Sequence, residues 1–400
     1  MQKLLYLVHR IPYPPNKGDK IRSFHVLKHL AKSYDVYLGA FVDDPADYQY
    51  VGRLDEFCKA IFLQSLNKRG ATIKSLSGFV SGKALTLPYY ANSKLKNWVK
   101  KTIDEHSIEK IVIFSSSMAQ YVEGKEFQHL TRVVDFVDMD SDKWQQYSES
   151  KGGLVKWVYS RESRKLLQYE QTICRAFSSS LFVSEKESAL FKRAVPDCEK
   201  KVSYFNNGVD TRYFDPDINF ENPYKADTPI LVFTGAMDYW ANAEAVIWLV
   251  KTHFASIRAL VPDVKFYIVG SKPMKEVENL AQYDGVMVTG AVPDVRPYIH
   301  YADLVVAPLR IARGVQNKVL EGMAMARPCV VSPQGFEGIT ATPGRDLVLI
   351  QDETKWARII SDIIKNRDPE MGRQARRFVL ENYSWDSSLA KLDVCLESQI

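Results

Sequence analysis

The chain of 400 residues is 46% apolar and 25% charged, which is typical of a soluble globular protein and excludes a disordered or fibrous class. Its length favours two domains, because one core seldom organises so many residues. No apolar run reaches the roughly 18 residues of a membrane span, and the first one is too short for a signal peptide. The five cysteines are scattered without CxxC spacing, so neither a disulfide framework nor a zinc site is indicated and a cytosolic location is favoured.

The net charge of +5 is unevenly distributed along the chain. Residues 1–205 carry 32 Lys and Arg against 23 Asp and Glu, a net of +9, and the remainder has a net of −4. A basic half can attract nucleic acid, an anionic membrane surface or a phosphorylated acceptor. No segment resembles a helix-turn-helix, a zinc finger or an aromatic-basic RNA platform, so the membrane or acceptor interpretation ranks above nucleic acid. A well-solvated basic surface is an equally good interpretation.

Short apolar runs alternate with helical patterns through the first half. We predict strands at residues 3–8, 35–42, 60–63, 110–114, 132–136, 180–183 and 201–204, a first helix at 18–32, and a long helix at 139–177. Such alternation requires crossover connections and predicts a parallel sheet.

The alternation restarts after a polar, proline-containing linker that ends at Pro229. We predict strands at residues 230–234, 265–269, 286–288, 304–307, 329–332 and 347–350, with helices at 242–260, at 274–282 and after Gly314. The predicted fold class is therefore α/β, with two Rossmann-like doubly wound sheets that face each other across a cleft.

Ligands of such sheets bind where the strands end at their carboxyl side, so the loops after strands are the candidate sites. The loop at 12–25 enters a helix at Gly18, but the three-glycine dinucleotide fingerprint is absent, which argues against a dehydrogenase. The loop at 233–245 leaves its strand through Gly235, and a third loop leads into the segment 314–328.

The third loop carries the strongest chemical pattern. A helix begins after it, and a helix N-terminus attracts anions. Arg310 and Arg313 precede the helix, while Lys318 and Glu321 share one of its faces. The ammonium suits a phosphate and the carboxylate suits the hydroxyls of a ribose. A solvated ion pair is the alternative.

Six segments together resemble glycosyltransferase family 4, whose members have the two-Rossmann (GT-B) architecture, and in particular its exopolysaccharide-associated branch. They are PYPPNKGDKIRSFHVLKHLA (12–31), NNGVDTRYFDP (206–216), FTGAMDY (233–239), VTGAVPDVRPYIHYADLVVAPL (288–309), KVLEGMAMARPCVV (318–331) and ARRFVLENYSWDSSLAKL (375–392). The resemblance implies an acceptor-binding domain of residues 1–217 plus 386–400, since the last helix crosses back to it. It implies a nucleotide-sugar-binding domain of residues 218–385.

The resemblance also implies roles for individual residues. Glu321 matches the second glutamate of an E-x7-E element and would hold the ribose, whereas Arg313 stands where the first glutamate is expected and leaves the donor sugar open. Donor contacts are implied for Gly18, Gly235, Gly290, Arg313, Gly314, Val315 and Glu321, and acceptor contacts for Asp19, Lys20 and Arg22. The usual Arg and Lys pair of the family is absent after the strand at 230–234. We therefore expect Arg310 and Lys318 to stabilise the leaving diphosphate.

Asp138 and Asp140 follow the strand at 132–136, where many relatives carry a histidine. They could orient hydroxyls or stabilise positive charge on the sugar ring, and one of them could instead cap the next helix. Their DxD spacing also permits a metal site, but the architecture argues against one, and we expect neither a metal nor a cofactor beyond the nucleotide sugar.

The sequence thus predicts a metal-independent, retaining glycosyltransferase that acts on a saccharide or polyprenol-linked acceptor in cell-surface glycan synthesis. Its predicted location is the cytoplasm or the inner membrane face. A catalytically weakened sugar-nucleotide-binding protein and a sugar-nucleotide epimerase of the same architecture are the alternatives.

Overall fold

The computed structural model describes residues 1–15, 18–149, 151–225, 228–311 and 315–397. The chain divides into two compact units. The first contains Met1–Asn207 and Ser388–Ile400, and the second contains Gly208–Ser387. In the described ranges, no helix is long and apolar enough to cross a bilayer.

The first unit is built on a seven-stranded parallel sheet with the order β3-β2-β1-β4-β5-β6-β7. Its strands are β1 (Gln2–Val8), β2 (Tyr34–Val42), β3 (Cys58–Ser65), β4 (Lys110–Phe114), β5 (Thr131–Val137), β6 (Ser179–Phe182) and β7 (Val202–Tyr204). Its helices are α1 (Gly18–Leu30), α2 (Val51–Leu54), α3 (Lys68–Ser75), α4 (Ser77–Ser81), α5 (Thr86–Tyr90), α6 (Ser93–His106), α7 (Asp140–Glu149), α8 (Gly153–Ala176) and α9 (Glu185–Ala194). The central strands are apolar runs buried on both faces, as expected for a parallel sheet.

The second unit contains a six-stranded parallel sheet with the order β10-β9-β8-β11-β12-β13. Its strands are β8 (Ile230–Thr234), β9 (Lys265–Val269), β10 (Val286–Gly290), β11 (Leu304–Ala307), β12 (Cys329–Val331) and β13 (Val348–Leu349). Its helices are α10 (Trp240–Leu249), which continues through a π turn (Val250–Phe254) into α11 (Ala255–Leu260), then α12 (Lys275–Glu278), α13 (Arg296–His300), α14 (Asn317–Ala324), α15 (Pro333–Phe336), α16 (Trp356–Asn366) and α17 (Pro369–Asn382). The two predicted parallel sheets are confirmed.

The last helix, α18 (Trp385–Glu397), returns to the first unit as predicted. Asp393 accepts a hydrogen bond from His29 Nε2 at 2.9 Å, and the Lys391 ammonium lies 4.1 Å from the centre of the Tyr204 ring. Residues 208–217, which the sequence assigned to the first domain, cluster with the second unit. There Val209 donates to the Tyr383 carbonyl, and Arg376 bonds Asp215.

The prediction of one long helix at 139–177 is wrong in one respect, because the chain forms two helices there. α7 ends at Glu149 and α8 begins at Gly153, whose φ of 58° lies in the left-handed region. Glycine adopts that conformation readily, so the pair Gly152 and Gly153 permits the break.

Candidate functional site

The second unit contains a cavity of about 590 Å³ at the carboxyl ends of its central strands. It opens where the strand order reverses between β8 and β11, which is the usual ligand position in doubly wound sheets. The lining residues are Thr234, Gly235, Ala236, Tyr239, Ala241, Asn242, Val269, Gly270, Ser271, Ala291, Val292, Val295, Leu309, Ile311, Val315, Gln316, Asn317, Lys318 and Glu321.

Two glycines form part of the cavity wall where the loops after β8 and β9 meet. A Cβ atom on Gly270 would lie 1.6 Å from the Gly235 carbonyl oxygen, and one on Gly235 would lie 2.7 Å from Asn242 Nδ2. Neither position accommodates a side chain without displacing backbone or a packed amide. Gly235 was predicted from the sequence as a donor-site residue, whereas Gly270 was not. Gly270 could have been predicted because it directly follows the predicted strand at 265–269.

Lys318 and Glu321 line the cavity from the first turns of α14. Burial lowers the pKa of Lys318 to about 8, against the opposing effect of the Glu321 charge. Burial raises the pKa of Glu321 to about 7, against the opposing effect of Lys318. Lys318 Nζ has a weak contact of 3.4 Å with Gln316 Oε1 and lies 5.3 Å from the Phe233 ring centre. Among the described residues, the ammonium is therefore desolvated with few compensating contacts, which suits it to an incoming anion.

The start of α14 adds to this preference for negative charge. Its N-cap residue, Gln316, makes no side-chain capping hydrogen bond, and Val315, Gln316 and Asn317 all line the cavity. The first N–H groups of a helix carry partial positive charge and favour an anion at that end. Val292, Val295 and Leu309 form an apolar part of the cavity wall, which suits a flat base.

Four other residues were expected at the donor site. Arg310 is not among the lining residues; its guanidinium pairs with Glu244 at 3.1 Å and Glu353 at 4.0 Å, outside the cavity. Gly290 has a φ of 70° and accepts a hydrogen bond from Gly270 N, so it supports the wall that Ala291 lines. The expected contacts of Arg313 and Gly314 fall outside the described residues.

The first unit contains a second cavity, of about 520 Å³, at the corresponding reversal between β1 and β4. Its lining residues are His9, Thr72, Ser75, Leu85, Thr86, Tyr89, Tyr90, Ser115, Asp140, Trp144, Val158, Tyr159, Glu162 and Leu166. The wall is rich in aromatic rings, and rings of this kind stack on the apolar faces of a sugar or on a lipid chain.

His9 directly follows β1 and is the functional candidate that the sequence analysis left out of the site. Its ring stacks on Phe114 with centroids 5.7 Å apart and an interplanar angle of 7°. Nε2 lies 3.6 Å from Asp19, whereas Nδ1 is buried without a hydrogen-bond partner among the described residues. A buried unpaired ring nitrogen is costly unless a ligand or water satisfies it.

The two aspartates after β5 differ in their surroundings. Asp140 lines the first-unit cavity, and burial raises its pKa against the opposing charges of Lys143 and His9. Asp138 does not line the cavity and accepts a hydrogen bond from Lys143 Nζ at 2.6 Å. Among the described residues, no group of three or more His, Cys, Asp or Glu side chains is arranged to hold a metal ion.

The expected acceptor residues of α1 are engaged within the first unit. Arg22 is fully buried, bonds Asp135 through Nε at 2.8 Å and Nη2 at 3.1 Å, and donates to the Phe205 carbonyl at 3.0 Å. Lys20 is 2% exposed and bonds Asp47 at 2.6 Å. This corrects both assignments, because neither cation is accessible to an acceptor.

The remaining residues of this loop also differ from expectation. Asp19 accepts a hydrogen bond from Arg10 at 2.5 Å; burial alone would raise its pKa, but the neighbouring His9 imidazole and the Arg10 charge hold that pKa well below its usual range. A Cβ on Gly18 would meet no atom within 4 Å, so this position shows no requirement for glycine.

Comparisons with known proteins agree with this architecture. Residues 228–366 match the family model described as Glycosyl transferases group 1. An uncharacterized 44.6 kDa protein in the cps region of Klebsiella pneumoniae is 23% identical over 96% of this chain and 97% of that protein.

Solved structures share the fold over the whole chain. A glycosyltransferase from Rickettsia africae ESF-5 superposes with a TM-score of 0.67 at 15% identity and full coverage of both chains. Anabaena HepE, solved in complex with UDP, superposes with a TM-score of 0.65 at 14% identity, again with full coverage of both chains. The matched segment contains β8 and α14, which carry the second-unit cavity. The chain therefore has the GT-B fold, and its second unit contains a segment that resembles a group 1 glycosyltransferase domain.

Proposed function

We propose that the protein transfers a sugar from a nucleotide-diphosphate donor, bound in the second-unit cavity, to a saccharide or lipid-linked saccharide acceptor. The observation that carries this proposal is the desolvated Lys318 ammonium beside the Glu321 carboxyl in the cavity wall, at the start of α14 and at the strand-order reversal. A diphosphate supplies the missing negative charge, and the vicinal hydroxyls of a ribose suit the carboxylate.

In this proposal the donor lies along the cavity from the apolar wall to the glycines. The base packs on Val292, Val295 and Leu309, the ribose on Glu321, and the diphosphate at Lys318 and the N–H groups that begin α14. Gly235 and Gly270 leave room for the sugar-proximal phosphate. HepE was solved with UDP, so uridine nucleotides are the first donors to test.

Departure of the diphosphate is the difficult event of sugar transfer, because negative charge accumulates on the leaving oxygen. A preorganised ammonium and helix N-terminus stabilise that charge more in the transition state than in the ground state. The sequence predicted that Lys318 and Arg310 together stabilise the diphosphate. In this proposal Lys318 does so without Arg310. The proposed reaction retains the anomeric configuration and requires no metal, as the resemblance implies.

The acceptor is assigned to the first-unit cavity. Its aromatic wall suits a pyranose ring, and Asp140 and His9 are the polar groups that could orient the attacking hydroxyl. A role in capsule or exopolysaccharide synthesis is supported by the relative in a cps region. It is also supported by the fold shared with WaaG, a glycosyltransferase involved in lipopolysaccharide biosynthesis, at a TM-score of 0.63.

The test combines donor binding with turnover of the full chain. A panel of UDP-sugars is screened by thermal shift, where a ligand at 100 times its Kd adds about 2.7 kcal/mol of apparent stability. We expect Lys318→Ala to weaken this stabilisation and to lower donor turnover about 100- to 1,000-fold. Arg310→Ala is the matched control, since it removes a nearby cation outside the cavity, and we expect nearly unchanged turnover.

Full turnover in a folded Lys318→Ala variant would refute the assignment of Lys318. Donor binding without transfer or hydrolysis would support a binding protein instead. Conversion of the donor sugar without any acceptor would support an epimerase.

A further inference from the structure

Two short segments of the first unit expose an unusual concentration of apolar side chains. They are residues 68–83, which contain α3 and α4, and residues 151–165, which contain the start of α8. Exposed members are Ile73 (72%), Leu76 (54%), Val80 (94%), Leu154 (75%), Val155 (46%) and Trp157 (52%). Ile73, Leu76 and Val80 are spaced by three and four residues in consecutive helical turns, so they share one side.

The two segments pack against each other and form one continuous surface. The rings of Phe79 and Trp157 stack with centroids 5.9 Å apart and an interplanar angle of 6°. Arg161 donates to the Gly78 carbonyl at 2.7 Å and lies 4.8 Å from the Phe79 ring centre. We call residues 68–83 and 151–165 together the basic-apolar face.

The charge of the basic-apolar face is almost entirely positive. It carries nine basic residues: Lys68, Arg69, Lys74, Lys83, Lys151, Lys156, Arg161, Arg164 and Lys165. Its one acidic residue, Glu162, is buried and bonded to the backbone of α5 and the residue before it. The face therefore contributes +8 of the +9 carried by residues 1–205.

We propose that the basic-apolar face docks on the surface of an anionic lipid bilayer. Exposed Leu, Ile, Val and Trp side chains flanked by Lys and Arg are the pattern of an interfacial helix, in which the apolar side chains enter the headgroup region and the cations bind anionic lipid. The charge argues against a second copy of this chain as the occupant, because two such faces would repel each other.

The basic-apolar face adjoins the first-unit cavity, so membrane docking would bring that cavity close to a lipid-linked acceptor. This step rests on the proposed function. α3 supplies Thr72 and Ser75, and α8 supplies Val158 and Tyr159, to the wall of the first-unit cavity. These helices also carry Ile73, Leu154 and Trp157. A lipid-linked acceptor could therefore leave its chain in the bilayer and present its saccharide to the aromatic cavity.

Flotation of the full chain with vesicles tests the proposal. The vesicles contain either phosphatidylcholine alone or phosphatidylcholine with 30% phosphatidylglycerol. The charge-reversal variant is Lys83→Glu, Lys151→Glu, Lys156→Glu, and the control is Lys94→Glu, Lys96→Glu, Lys100→Glu on α6. All six lysines are exposed, and both variants change the net charge equally. A second variant, Ile73→Ser, Val80→Ser, Leu154→Ser, tests the contribution of the exposed apolar side chains. We call it the apolar variant.

We expect the wild-type protein to float with anionic vesicles and less so with neutral ones, and to be released by salt. The charge-reversal and apolar variants should each lose affinity by more than about tenfold, while the control stays within about threefold of wild type. Equal loss in the control would overturn the proposal, because it would show attraction by net charge alone. Binding that the apolar variant leaves intact would also overturn it.

Thermal shift with the UDP-sugar panel, performed without vesicles, separates this proposal from the proposed function. Loss of vesicle binding with intact donor stabilisation defeats only the membrane proposal. Vesicle binding without any donor stabilisation defeats only the glycosyl-transfer proposal.

Discussion

Each unit reverses its strand order once, between β1 and β4 in the first sheet and between β8 and β11 in the second, and each cavity opens beside that reversal. The two cavities differ in the side chains placed there. The first is lined by aromatic rings from helices that follow β3 and β5. The second is lined by glycines, an apolar wall and the start of α14. The shared topology fixes where a ligand binds, and the local residues determine which ligand it is.

The cations Arg22 and Lys318 also differ between the two units. Arg22 of the first unit bonds Asp135 in a bidentate manner and also bonds Phe205 and Asn207. Among the described residues, the charge of Lys318 in the second unit is opposed by Glu321, and its Nζ has a 3.4 Å contact with Gln316 and lies 5.3 Å from the Phe233 ring centre. Arg22 therefore holds β5 and the chain after β7 together, whereas the Lys318 charge is left available for a ligand.

The largest effect that we expect from this contrast is on stability. Arg22→Met leaves the buried Asp135 charge without its partner and should cost about 3–5 kcal/mol. Lys318→Met should cost much less in the ligand-free protein, because burial lowers the Lys318 pKa and raises the Glu321 pKa, so the remaining carboxyl can take up a proton. Thermal and urea unfolding of both variants measure the difference. Equal destabilisation by the two variants would contradict the distinction between a paired and an available cation.

The next effect concerns Gly270, which directly follows β9 in the wall of the second-unit cavity. Gly270→Ala places a methyl group 1.6 Å from the Gly235 carbonyl, so the loops after β8 and β9 must separate. We expect a cost of about 1–3 kcal/mol and loss of donor binding, since these loops form the cavity wall. Gly18→Ala is the control, because its methyl group meets no atom within 4 Å, and we expect unchanged stability. Donor-dependent thermal shift distinguishes the two variants, and normal donor binding by Gly270→Ala would contradict the role given to this wall.

The repeating alternation of apolar runs and helices was sufficient to predict both sheets, because buried parallel strands are recognisable from local sequence. Lys318, Glu321, Gly235 and Val315 line one cavity, and the sequence could place them near each other because they follow predicted strands. Arg22 and Lys20 were assigned incorrectly, because their partners Asp135 and Asp47 are distant in sequence and only the folded chain brings them together. Arg310 was assigned to the diphosphate for the same reason, since its partner Glu244 lies on α10, distant from Arg310 in sequence.

The smallest effect that we expect is a pH dependence confined to the second-unit cavity. Lys318, with its pKa near 8, loses its proton and its attraction for the diphosphate as the pH rises above that value. Glu321, with its pKa near 7, gains a proton below that value and becomes a weaker acceptor for the ribose hydroxyls. Donor kcat/KM should therefore be highest between about pH 7 and 8 and fall up to about tenfold per pH unit on either side.

Glu321→Gln sharpens this prediction, because the Glu321 charge raises the pKa of Lys318. The variant should lose the acidic limb of the profile, and its alkaline limb should move to lower pH. Asp19→Asn is the control from the first unit: the neighbouring His9 imidazole and the Arg10 charge keep the pKa of Asp19 far below this range despite its burial, so both limbs should remain. An alkaline limb that stays in place or moves to higher pH in Glu321→Gln would show that a group other than Lys318 controls donor binding.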